Sequence, residues 1–209
     1  MIPLCSHRTN QGFTLIELLV AMVMGLAVLG AVLSIFVNQN RTHAIQQEVA
    51  YAQQNVRAAM GLMVWDIRNA GFNSDNGGFR AIEEATSTII RVKADYSDPA
   101  DDDAGDEGED IRYRVNASDQ LIRDDAVLGS EAIVDFVDNL QFSYGFADGD
   151  IGIPDEADGD NTNDRNDIRL VIIRLGVRTE NPDPDSGQNR VRNLANRVRV
   201  RNMGFQDLE

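Results

Sequence analysis

The residues that build catalytic or cross-linked sites are scarce in this 209-residue chain. Cys5 is the single cysteine, which excludes an intrachain disulfide and a zinc ribbon. The two histidines, His7 and His43, both fall in the first fifth of the chain. No Ser-His-Asp or Cys-His site can be built from the rest. Lysine is almost missing: Lys93 stands alone beside eighteen arginines. Acids outnumber bases 34 to 19, for a net charge of −15. A chain this acidic repels phosphate backbones, so a broad nucleic-acid surface is not expected. There is no glycine-rich phosphate loop, and no repeat of 20–50 residues marks a solenoid. Nothing in the sequence places two carboxylates across a cleft, and Asp/Gly-rich loops hold catalytic distances poorly, so no enzyme is expected.

What is present is unevenly spread. Residues 1–12 are polar, with His7 and Arg8 and no acid. Phe13 to Val37 then runs for 25 residues with one charge, Glu17. About 20 apolar helical residues cross a hydrocarbon core, so the run is long enough to span a membrane. It is too long for the apolar core of a secretory signal, and no small-residue cleavage site follows it. Arg8 favours a cytoplasmic N-terminus, weakly opposed by Arg41.

The helical pattern continues past Val37. From Arg41 to Ala70 there is no proline and one glycine, Gly61. Ile45, Val49, Ala52, Val56, Ala59, Met63, Ile67 and Ala70 recur at spacings of three and four, the stripe of an amphipathic helix. Gly71 followed by Phe72 is a stop signal, with glycine left-handed and the phenylalanine packing back. One nearly continuous helix from Phe13 to Ala70 is expected, on the order of 85 Å long. Its first half is apolar on all sides and needs lipid or other helices. Its second half needs a folded domain.

Beyond Gly71 the pattern is one of strands. Thr88–Lys93, Ile111–Val115, Gln120–Arg123, Leu140–Phe146, Ile168–Arg178 and Arg197–Arg201 are candidates. Several alternate apolar residues with arginine, as in an antiparallel sheet with one wet face. The nearly all-apolar Ile168–Val177 is expected to be central, and the buried face to cover the Ile45–Ile67 stripe. The fold class is therefore α+β: a long N-terminal helix packed on an antiparallel β-sheet domain. Two acidic loops, 95–110 and 147–167, interrupt the strands, and residues 95–167 together hold 23 acids and four arginines. In the second loop Asp148, Asp150, Asp158, Asp160 and Asp164 offer hard oxygen ligands suited to Ca²⁺. No EF-hand register fits, because counting from Asp158 puts Asn163 at the glycine position and Arg169 at the bidentate glutamate. A solvated acidic loop accounts for the same composition.

The segment Gly12-Phe13-Thr14-Leu15-Ile16-Glu17-Leu18-Leu19-Val20, with the apolar run behind it, resembles the leader and helix of type IV prepilins and type II secretion pseudopilins. The resemblance implies a leader over 1–12, a transmembrane and filament-core half-helix over 13–37, an amphipathic half over 38–71, and a periplasmic β-rich domain over 72–209. It implies cleavage by prepilin peptidase between Gly12 and Phe13, N-methylation of Phe13, and an assembly role for Glu17. A terminal ammonium on one subunit's Phe13 and the Glu17 carboxylate of its neighbour would neutralise each other in a low-dielectric filament core and fix axial register. Cys5 would leave with the leader, so the mature chain could not close the disulfide of many major pilins. No proline kinks the apolar half, another departure from major pilins.

Met60 to Phe72, ending in Asp66-Ile67-Arg68-Asn69-Ala70-Gly71-Phe72, resembles PilW-type minor pilins. The order of Val137–Gly145, an Asp/Gly-rich loop, Ile168–Arg178 and Arg197–Asn202 is similar too. J-type minor pseudopilins share much of this. The plain reading of Asp66-Ile67-Arg68 is a polar helix end with a cap. The resemblance implies a subunit that waits in the inner membrane and joins a tip or priming complex initiating pilus assembly. The implied partners are prepilin peptidase, other minor pilins, the major pilin, the assembly platform and membrane lipid. The alternatives are a pseudopilin of type II secretion, or an uncleaved single-span anchor carrying an adhesive or ligand-binding domain.

Overall fold

The structure, a computed structural model, describes residues 13–72, 79–96, 104–156, 163–183 and 186–202. One helix, α1 (Leu15–Asn69), carries the N-terminal third. The chain divides into two compact units, Met1–Gln46 and Gln47–Glu209.

In the first unit every described residue from Phe13 to Ala44 is exposed, the large apolar side chains from Leu15 to Val37 included. Two hydroxyls, one in the apolar run and one just after it, are satisfied by the helix itself. Ser34 Oγ donates to Gly30 O at 3.0 Å and Thr42 Oγ1 to Asn38 O at 3.0 Å. Such back-bonding lets a hydroxyl sit in a helix facing hydrocarbon without an orphaned donor.

In the second unit the remaining turns of α1 bury Ala52, Val56, Ala59, Met63 and Ile67 of the expected stripe against the strands, with Met60 beside them, while Val49 is only half-buried. The first five-stranded sheet is an antiparallel meander of β1 (Ile82–Ala85), β2 (Ile90–Lys93), β3 (Asp110–Val115), β4 (Leu121–Asp125) and β5 (Gly129–Val134). The second orders β7 (Ile151–Gly152), β6 (Val137–Phe146), β8 (Ile168–Arg178) and β9 (Val191–Arg199), again antiparallel. The antiparallel expectation holds, and the strands fall in two sheets. Their break is the two-residue turn Asp135-Phe136, where Phe136 takes φ +57°, a conformation bulky side chains rarely adopt. Its carbonyl accepts from Arg178 N at 2.9 Å, which fixes the turn against the end of β8.

Ile168–Arg178 is interior to its sheet, flanked by β6 and β9. Val171, Ile173, Leu175 and Val177 alternate into the core beside Phe142 and Tyr144. Tyr144 Oη ties the sheets together by donating to Thr86 O at 2.9 Å. The acid-rich stretches are partly structural. Asp95, Glu109 and Asp110 are buried, and Glu109 accepts from the N–H groups of Tyr96 (2.6 Å) and Asp106 (3.1 Å). Strand β7 and a 3-10 turn at Arg165–Asp167 lie in the second stretch.

The end of α1 is closed as the glycine signal requires. Gly71 has φ +77° and donates to Lys93 O at 2.8 Å. Asn202 Nδ2 lies 3.3 Å from both Asn69 O and Ala70 O, so the last carbonyls have a donor from the far end of the chain. Phe72 stays half-exposed and stacks on Tyr96 at 5.9 Å between ring centroids. A Cβ on Gly71 would stand 2.8 Å from Ala81 Cβ. Gly71→Ala is therefore expected to cost about 2 kcal/mol through the strained φ and the clash, read as a lower midpoint in urea unfolding.

Candidate functional site

The helix start is built by Thr14 and Glu17. Glu17 N donates to Thr14 Oγ1 at 3.3 Å, while Thr14 N and Oγ1 donate to Glu17 Oε2 at 3.0 and 2.9 Å. This is a capping box, in which threonine and a glutamate three residues on satisfy each other's free amides. Phe13 stands immediately before it, 90% exposed. The structure thus brings Phe13 and Glu17 to one exposed helix end. Gly12 lies outside the described residues. Sequence reasoning overlooked Thr14 as the partner of Glu17, although the Thr-Leu-Ile-Glu spacing is itself the capping signature.

The calcium candidates are less gathered. Asp148 Oδ1 accepts from Asp150 N at 2.9 Å, a local turn, and both residues are exposed. Asp164 precedes the 3-10 turn. Asp158 and Asp160 lie outside the described residues. Among the described residues no group of three or more His, Cys, Asp or Glu side chains is placed to hold a metal ion.

Asp66 is where the structure departs from the plain reading of a polar helix end. It is 4% exposed, and its Oδ2 accepts from Tyr113 Oη and, at 3.2 Å, from Arg123 Nε. Tyr113 and Arg123 are directly paired across β3 and β4, so two neighbouring side chains on one sheet face converge on one helix carboxylate. Behind them Arg123 reaches Asp125 Oδ2 at 3.7 Å, and Asp125 accepts from the N–H groups of Gly108, Val127 and Leu128. Burial pushes the Asp66 carboxyl above the ordinary aspartate range, against the Tyr113 hydrogen bond and the Arg123 charge. Burial also pushes up Asp125, but its three amide hydrogen bonds and Arg123 outweigh that and hold it below the ordinary range. The signal for Asp66 was available: it lies three residues after Met63 and four before Ala70, on the apolar stripe itself. Its job is to fasten the helix to the sheet.

The family described as the prokaryotic N-terminal methylation motif matches residues 7–33. That window holds Gly12, Phe13, Thr14, Glu17 and most of the exposed apolar helix, and behind it the same helix packs on antiparallel strands. The fold is type-IV-pilin-like. No curated protein matches the chain. The motif implies association with prepilin-processing machinery. Among the described residues one helix is long and apolar enough to cross a membrane, which points to membrane anchoring of this pilin-like chain.

Proposed function

We propose that this chain is a minor pilin of the PilW type. Prepilin peptidase removes residues 1–12, and the amine of Phe13 is methylated. The subunit waits in the inner membrane with its N-terminus cytoplasmic and its β-rich domain periplasmic. It then enters a tip or priming complex with other minor pilins, from which the assembly platform extends the major pilin. The observation that carries this reading is the segment from Phe13 to Val37: it lies largely within the methylation-motif match, and its apolar side chains are exposed all round. Such a surface requires lipid or neighbouring helices. The minor grade rests on the absence of cysteine after Cys5 and of proline between Pro3 and Pro99.

Mass spectrometry of the N-terminal peptide, from membranes of cells that contain prepilin peptidase, tests the processing. N-methyl-Phe13 is the expected terminus. An intact Met1–Gly12 would replace the reading with an uncleaved anchor. Deletion of the gene is expected to abolish or sharply reduce piliation. Intact pili with failed type II secretion would reassign the chain to the J-type pseudopilins.

A further inference from the structure

The outer faces of the two sheets carry charge in opposite styles. On the five-stranded sheet one cross-strand row runs Glu84, Arg91, Arg112, Asp124. Arg91 is bidentate to Asp110 at 2.7 and 2.6 Å, Arg112 meets Glu84 at 2.9 Å, and Arg114 meets Asp124 at 2.7 Å. Acids and bases neutralise each other across that face.

The four-stranded sheet does not follow this pattern. Register places Arg174 opposite Ala195, and Ile172 and Leu170 opposite Arg197 and Arg199. Arg174, Arg197 and Arg199 therefore share the outer face, since directly opposed residues do and alternate ones along a strand do. All three are exposed, as is Arg201 just beyond β9. Across this face the β6 positions paired with β8 are Asn139, Gln141, Ser143 and Gly145, so no acid stands directly opposite β8; the exposed Asp138 occupies the bulge at the start of β6. Among the described residues no ion pair joins these four arginines to any carboxylate, while Arg91, Arg112, Arg114, Arg123, Arg165, Arg178 and Arg190 are all paired. Residues 189–202 hold five arginines and no acid, in a chain with 34 acids to choose from. Adjacent like charges on a strand face repel.

The same face ends in an open strand. β9 is the last strand of its sheet. Val200 N donates to Arg169 O at 3.1 Å, which sets the ladder parity: residues of even number point their amides at β8, and Ala195, Arg197 and Arg199 point theirs outward. Arg197 N, turned away from the ladder, is held only by the side chain of its neighbour Asn196, at 2.8 Å. An edge that no strand among the described residues pairs with accepts a further strand, which would displace the Asn196 side chain from Arg197 N.

We propose that β9 and its arginine face bind an extended acidic segment of another protein chain. The segment would add as a strand on the β9 edge with carboxylates at alternate positions, beside Arg197 and Arg199. Its backbone takes the outward amides, and its acids take the guanidiniums in the forked geometry arginine favours. A polypeptide fits better than a nucleic acid, because a strand edge recognises a peptide backbone. This inference concerns the domain face alone and stands or falls independently of processing at Phe13.

The test uses the full chain in neutral detergent micelles. The probe is a fluorescent seven-residue peptide alternating glutamate with threonine or valine, read by anisotropy. Saturable binding is expected, weaker at raised ionic strength. It should weaken about tenfold or more in the double variant Arg197→Glu with Arg199→Glu, and survive in Arg197→Lys with Arg199→Lys. N-methylation of alternate peptide amides should weaken it as well. Equal binding by the two double variants, or none to the native protein, would overturn the proposal. So would tighter binding to phosphatidylglycerol vesicles or duplex DNA than to the peptide. A concentration-dependent dimer of the native chain, lost in the glutamate variant, would assign the face to a second copy instead.

Discussion

Asp66→Ala is expected to lower the unfolding free energy of the domain by about 3 kcal/mol, close to the loss seen when one partner of a buried ion pair is removed. Two groups are stranded by it. Tyr113 is fully buried, and its hydroxyl would lose its acceptor. Arg123, with a side chain 17% exposed, would keep only the longer contact to Asp125. Asp66→Asn keeps an oxygen for Tyr113 and should cost less than the alanine. Urea unfolding followed by the fluorescence of Trp65, the single tryptophan and the neighbour of Asp66, reads both variants. Equal, small losses would mean that the apolar contacts of α1 hold the helix without this site.

The pH dependence of this site has its own sign. Burial is the largest influence on Asp66 and raises its carboxyl in the folded state. A raised folded value stabilises the fold fully below the unfolded pKa of aspartate, and that contribution fades as pH rises through the folded pKa. The advantage of the native chain over Asp66→Asn should therefore be greatest in acid and shrink toward neutrality. Asp124 and Glu156 behave in the opposite way. Burial pushes Asp124 up, but Arg114 and Ser130 hold it below the ordinary range; a hydrogen bond from Arg165 does the same for Glu156 against its slight burial. Both contributions are present at neutral pH and lost on acidification.

The ease with which each element can be read from sequence follows its burial. The helix shows because its stripe recurs over many turns, and β8 shows because it is interior and long, with apolar residues at every core-facing position from Val171 to Val177. Strand β5 is nearly all exposed and held by pairing with β4, so Gly-Ser-Glu-Ala carries no alternation to find. The first half of β9 mixes polar and apolar residues and is nowhere fully buried, so it too carries no clear alternation. β1 and β7 are too short, at four and two residues, for a period to register. The division into two sheets depends on one turn with a left-handed phenylalanine, which no composition rule anticipates. Asp66 was misjudged because a polar residue at a helix end is usually solvated, whereas here an arginine and a tyrosine 47 residues or more away in sequence supply its partners.

Glu17→Gln and Glu17→Ala separate two jobs that share one carboxylate. Within the single chain Glu17 closes the capping box with Thr14, and glutamine serves that role about as well as glutamate. In the proposed filament its charge would meet the methylated amine of a neighbour's Phe13, and glutamine supplies no charge. Both variants are expected to be cleaved after Gly12, since the peptidase site is untouched. If pairing between subunits governs incorporation, both should abolish or strongly reduce recovery of the subunit in sheared pili, and Glu17→Gln should be no better than Glu17→Ala. If capping alone matters, Glu17→Gln should assemble like the native chain and only Glu17→Ala should fail. The pairing outcome is the one expected, because a charge carried into a filament core without a counter-ion is strongly disfavoured and the nearest available cation is the new terminus. Immunoblots of sheared pili and membranes from the two strains, with the N-terminal peptide checked by mass spectrometry, distinguish a subunit that is processed but excluded from one that is never processed.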